Sequence, residues 1–193
     1  MTGRLTKFVM IAAVLTLAAC DKKPAPPPPP PPAPGAPAVL IKALDEMPSL
    51  PKPYDDAATP EAVKLAVDQA FERAKVSGKR VIVDMGGNWC SWCRGLAGVM
   101  NLPEVKPFID QHFEVVYVPT ASKQGETDLN LETVHRFGLT KVDKVPWLVI
   151  AEPDGTVVSS SYEVTEKDNE TPQAMVNWLA RWAKPAVPAK GKA

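Results

Sequence analysis

The chain has 193 residues, with 22 Pro, 11 Gly and 3 Cys, and 22 Lys and Arg balance 22 Asp and Glu. A net charge of +0 removes any composition-level case for a nucleic-acid or anionic-surface partner, and Cys20, Cys90 and Cys93 are too few for a multi-disulfide scaffold or a site of four thiolates. Ten of the prolines fall between Pro24 and Pro37, so what remains for a folded core is one domain of ordinary size.

Met1 to Ala19 opens with Arg4 and Lys7 and continues as an apolar run from Phe8 to Ala19, interrupted by Thr16. That run is too short for a bilayer span, which needs ~20 residues, and fits a secretory signal peptide over 1–19. Leu17-Ala18-Ala19-Cys20 resembles the lipobox of bacterial lipoproteins, in which the cysteine becomes the lipidated first residue. A plain secretory signal with an incidental Cys20 is the competing reading. Asp21 resembles the signal that retains lipoproteins at the inner membrane, which implies the periplasmic face of that membrane in the bacterial cell envelope. Residues 20–58 read as a lipid-anchored Pro/Ala-rich tether, because proline removes backbone donors and the segment offers little apolar surface to bury. As polyproline II, at ~3.1 Å per residue, Pro24 to Pro37 would hold the domain on the order of 40 Å from the membrane. A linker that only resists proteolysis is the alternative.

The folded domain is expected over 59–184. Thr59-Pro60-Glu61 reads as an N-cap, a proline at the first helical position and an acidic first turn, with Gly78 as the stop. Ala62, Leu65, Ala66, Ala70 and Phe71 supply the apolar stripe. Val81-Ile82-Val83 predicts a central strand, and a second helix is expected around Cys93 to Asn101 despite Gly95 and Gly98. Pro103 starts a further helical stretch to Phe113, and Val115 to Val118 predicts a strand ended by Pro119. Leu129 to Phe137 predicts a short helix closed by Gly138. Trp147 to Ile150 and Thr156 to Val158 flank Pro153-Asp154-Gly155 and predict an antiparallel hairpin. Pro172 to Ala183 carries Met175, Trp178, Leu179 and Trp182 at helical spacing, and 185–193 reads as a disordered tail. The expected class is α/β, a mixed central sheet with helices on both faces.

Trp89-Cys90-Ser91-Trp92-Cys93 carries the chemistry. Two cysteines three apart, where a buried strand meets a helix, put the first sulfur at the helix N-terminus, where free amides and the dipole favour thiolate over thiol. Cys90 is then the attacking group, and Cys93, one turn on, resolves the mixed disulfide. Other readings compete. A zinc half-site would need His112 and His135, both distant in sequence, and these histidines read as helix-surface residues instead. A c-type haem site would need His after Cys93, where Arg94 stands. A structural disulfide across so short a loop would stabilise little. Copper binding by the dithiol and a non-catalytic scaffold role are the alternatives from other classes.

Over roughly residues 60 to 183 the sequence resembles the thioredoxin superfamily. The resemblance rests on Val83-Asp84 six residues before Cys90, on Trp89, on the dithiol, on Val145-Pro146 and on the order of elements. It is similar in wording to small periplasmic thioredoxin-like proteins and to the C-terminal domain of the inner-membrane disulfide reductase. This implies a thioredoxin-like fold and a protein thiol-disulfide oxidoreductase without cofactor or metal, working as reductase or interchange protein. Protein thiols and disulfides would be its substrates and an upstream membrane electron donor its supplier. It also implies that Asp84 lies buried under the dithiol and moves a proton, and that Pro146 is cis and presents Val145 to the substrate chain. Trp89, Trp92 and Trp147 are expected at the substrate-facing rim. Ser91-Trp92 departs from the common Gly-Pro between the cysteines. No lysine in Glu114 to Pro119 matches the family partner of the buried aspartate, so the carboxyl of Asp84 should be hard to ionise.

Overall fold

The computed structural model describes residues 35–166 and 169–184. The expected signal peptide, Cys20, the proline run up to Pro34 and the tail after 184 lie outside the described residues. Thr59 caps the first helix, α1 (Pro60–Ser77), its hydroxyl accepting from the Ala62 N–H, and Gly78 ends it in the left-handed conformation. There follow β1 (Arg80–Gly86), α2 (Ser91–Met100), α3 (Lys106–His112), β2 (Phe113–Pro119) and α4 (Leu131–Arg136). The chain closes with β3 (Trp147–Ala151), β4 (Val157–Ser161) and α5 (Pro172–Ala180).

The sheet order is β2-β1-β3-β4, with β1 and β2 parallel and the other pairs antiparallel. Alternation along β1 divides the interior. Val81, Val83 and Met85 pack with Val63, Val67, Phe71 and Val134 of α1 and α4. Ile82 packs on the other face with Leu96 and Val99 of α2, Ile109 of α3 and Met175 and Leu179 of α5. Asp84 and Gly86 share the parity of Ile82, so they point to the α2 face. β1 thus delivers a carboxyl group under the start of α2.

The apolar stripe of α1 lies about one residue away from the expected one: Val63, Val67, Ala70, Phe71 and Ala74 are buried, whereas Leu65 is 56% exposed. Positions 63, 67, 70 and 74 follow a continuous helical row, and a shift of one residue turns the face by ~100°. α3 begins later than Pro103, at Lys106, after turns in which the Val105 N–H bonds the Leu102 carbonyl. α5 stops at Ala180, and its chain finishes in i to i+3 turns, the Trp182 N–H bonding Leu179.

The main correction concerns the tether. Residues 35–58, expected to extend away from the domain, run across it as a strap. Ala36, Val39, Leu44 and Met47 pack against the α2/α5 core, and Tyr54 is 3% exposed. Gln173 of α5 accepts from the Val39 N–H and donates to the Pro37 carbonyl. Arg94 of α2 donates to the carbonyls of Leu50 and Pro51 at 2.7 and 2.9 Å. The two glycines inside α2 explain how the strap seats. A Cβ on Gly95 would lie 2.6 Å from the Leu44 side chain, and one on Gly98 would lie 2.8 Å from the Met47 sulfur. Glycine at these positions weakens a helix by ~1 kcal/mol each, a cost offset here by close approach of the strap.

Candidate active site

Cys90 is the N-cap of α2, and its sulfur accepts from the Cys93 N–H at 3.1 Å. The two sulfurs lie at disulfide distance, with their Cα atoms 5.3 Å apart. Cys93 is fully buried and Cys90 nearly so. The helix N-terminus therefore directs an N–H and the positive end of its dipole at Cys90 Sγ, a placement that favours negative charge there. The Val145 carbonyl lies 3.8 Å from the same sulfur, and the Val145–Pro146 peptide is cis, as expected.

Asp84 is fully buried and is joined to the dithiol through Tyr54, which clusters with both cysteines. Its Oδ1 accepts from the Tyr54 hydroxyl at 2.8 Å, and its Oδ2 has no hydrogen-bond partner among the described residues. Burial pushes the carboxyl up to about 7, and the Tyr54 hydrogen bond opposes that rise. Among the described residues no other cation replaces the missing lysine. Its place as partner is taken by a neutral phenol supplied from the strap. Burial, and then the neighbouring carboxylate, hold the Tyr54 hydroxyl well above its ordinary range, so it stays a donor. Tyr117, in register with Asp84 on β2, is raised for the same reasons and packs edge-on against Tyr54 with ring centroids 5.5 Å apart.

Tyr54 is fixed from both sides. Asn88 donates to its carbonyl at 2.6 Å and accepts from its N–H at 3.3 Å. Gly86 leaves the space its ring end needs: a Cβ there would meet the Tyr54 hydroxyl at 2.6 Å and Cys93 Sγ at 2.8 Å. Both atoms crowd the same side of Gly86, and Tyr54, Cys90 and Cys93 form one buried cluster. Tyr54 and Asn88 escaped the sequence reading. The available signal was an aromatic residue among prolines, together with a buried aspartate that lacked a partner.

Of the three tryptophans expected at the rim, two are there. Trp89 is 37% exposed, and its indole N–H donates to the Ala121 carbonyl. Trp92 is 38% exposed and stands between two hollows. One, of about 400 Å³, is lined by Trp89, Cys90, Val142 and Val145, and the other, of about 710 Å³, by Leu44, Met47 and Thr171. Trp147 lies elsewhere. Its position on β3 sends it to the α1/α4 face, where its indole donates to Ser160 and packs on Tyr162. Strand parity, which places Leu148 rather than Trp147 on the side of Asp84, accounts for the difference. Among the described residues, no cluster of three His, Cys, Asp or Glu could hold a metal ion. His112 is half-buried beside Phe108, and His135 is exposed.

A dithiol at a helix N-cap and a cis proline facing it, on a mixed sheet with helices on both faces, are carried here by a thioredoxin-like fold. Residues 61–153 match the family model described as thioredoxin-like. Among solved structures, the chain is similar to a disulphide isomerase from Xylella fastidiosa Temecula1, at 26% identity and a TM-score of 0.57, over 69% of this chain and 98% of that one. It is also similar to a structure titled DsbH oxidoreductase, at 22% identity and a TM-score of 0.40, over 51% of this chain and 71% of that one. No curated protein matches the chain.

Proposed function

We propose that the protein is a thiol-disulfide oxidoreductase of the bacterial cell envelope that exchanges disulfides with protein substrates through Cys90 and Cys93, as a reductase or interchange protein. The observation that carries this reading is the Cys93 N–H pointing at Cys90 Sγ, with a buried Asp84 whose Oδ2 has no partner among the described residues. In the reducing direction, Cys90 thiolate attacks a substrate disulfide, forming a Cys90–substrate bond and expelling one substrate thiolate. Asp84 carboxylate then takes the Cys93 proton, and Cys93 attacks Cys90 Sγ. The second substrate thiolate leaves, two electrons have passed to the substrate, and the protein holds the Cys90–Cys93 disulfide.

The hollow between Trp89, Cys90 and Val145 suits an extended substrate chain, with Trp92 at its edge and Pro146 behind Val145. The solved isomerase at 26% identity favours reduction or interchange over oxidation. In an oxidising space such a role requires re-reduction, hence a membrane electron donor. The signal-like leader and Cys20 support lipid anchoring, and Asp21 supports the periplasmic face of the inner membrane.

Trapping tests the mechanism. Cys93→Ala should accumulate mixed disulfides between Cys90 and partner proteins, resolved on non-reducing gels and abolished by adding Cys90→Ala. A normally expressed Cys93→Ala protein that forms no adduct sinks the reading. Alkylation of the wild-type dithiol in cells reports direction, the reduced form being expected at steady state.

A further inference from the structure

Resting on that reading, the strap contributes to the chemistry as well as to packing. We propose that Tyr54 is a positioning residue of the active site: by donating to Oδ1 it favours the ionised form of Asp84 and leaves Oδ2 as the oxygen that takes the Cys93 proton. Three observations carry this. The Tyr54 hydroxyl is 2.8 Å from Asp84 Oδ1. The same hydroxyl and Cys93 Sγ both crowd the side-chain face of Gly86, within one buried cluster. The other carboxyl oxygen accepts from no group among the described residues.

The groups facing Asp84 are few. Among the described residues, the strap's Tyr54 bonds the carboxyl, Tyr117 of β2 and the apolar Leu148 of β3 are its register partners, and Cys93 and Cys90 of α2 cluster with Tyr54. None of these is a cation, so among the described residues the hydrogen bond from Tyr54 is what favours the ionised carboxyl against burial. The step it serves is balanced. Cys93 thiol and Asp84 carboxylate become Cys93 thiolate and Asp84 carboxylic acid, and the thiolate electron pair then displaces the substrate sulfur from Cys90.

Tyr54→Phe keeps the ring against Tyr117 and removes the hydroxyl alone. The full chain, reduced and then joined at Cys90 to 5-thio-2-nitrobenzoate, reports the second exchange as release of the coloured thiol. Its pH midpoint should move up by roughly one to two units in Tyr54→Phe, the size expected for losing a hydrogen bond to a charged group. At a pH below the wild-type midpoint, release should slow by roughly tenfold or more. Infrared titration of the Asp84 carboxyl, assigned by its loss in Asp84→Asn, should show the same upward shift in the reduced protein. Asn88→Ala, which keeps the hydroxyl and removes both bonds to the Tyr54 backbone, should shift the titration in the same direction by less.

An unchanged Asp84 titration and an unchanged release profile in both variants would overturn the role of Tyr54, even if Cys93→Ala traps partners. Failure of Cys93→Ala to trap, with the titration shifted as expected, would overturn the exchange reading and leave the Tyr54–Asp84 coupling standing.

Discussion

Asp84 makes stability and chemistry pull in opposite directions. Burial pushes its carboxyl up to about 7 in the folded chain, against about 3.9 in an unfolded one. Between those values the folded state binds the extra proton, so its contribution to stability is full below about pH 4 and is lost as pH rises through 7. The difference is on the order of 4 kcal/mol. Asp84→Asn should therefore unfold at higher urea than the wild type at pH 8, with the two curves converging near pH 4. Parallel curves across that range would contradict the assignment. The position of Asp84 was legible because it follows three apolar strand residues before a dithiol. Its partner was not, because proline content around Tyr54 describes backbone conformation and says nothing of where one aromatic ring goes.

Helix boundaries were legible where side chains cap them. Thr59-Pro60 and Thr171-Pro172 each place a hydroxyl on a free N–H, and Gly78 ends α1 at positive φ. The phase of α1 was not legible, since Leu65 and Val67 carry similar hydrophobicity and only the facing strands choose between them. Gly95 and Gly98 read as flaws in a helix until Leu44 and Met47 fill the space above them. Arg94 then gives a test at the level of the element. Arg94→Ala removes charged donors from the Leu50 and Pro51 carbonyls, each bond contributing ~1.5–3 kcal/mol at most. Faster amide exchange is expected at Tyr54 and its neighbours in the strap, with β1 and β3 protected as before. Uniform loss of protection would mean that the strap and the sheet open together.

The whole molecule starts before the boundary that composition suggests. A mixed sheet with helices on both faces and the dithiol could be drawn from periodicity and motif, the order of the strands could not, and the folded unit includes at least residues 36–58. A chain beginning at Thr59 should be less stable than one beginning at Gly35 by on the order of 3 kcal/mol, since it loses the buried Tyr54 and the partly buried Leu44 and Met47. Denaturant midpoints of the two chains check this, and equal midpoints would mean the strap adds nothing to the fold. Its fastenings are arranged in series. A pull applied at Gly35 meets Gln173 at Pro37 and Val39 first, then Glu104 at Leu40, then Leu44 and Met47 on the α2 glycines, and then Arg94. Tyr54 comes last, so mechanical load on the leading end is spent on the outer holds before it can disturb the carboxyl under the dithiol.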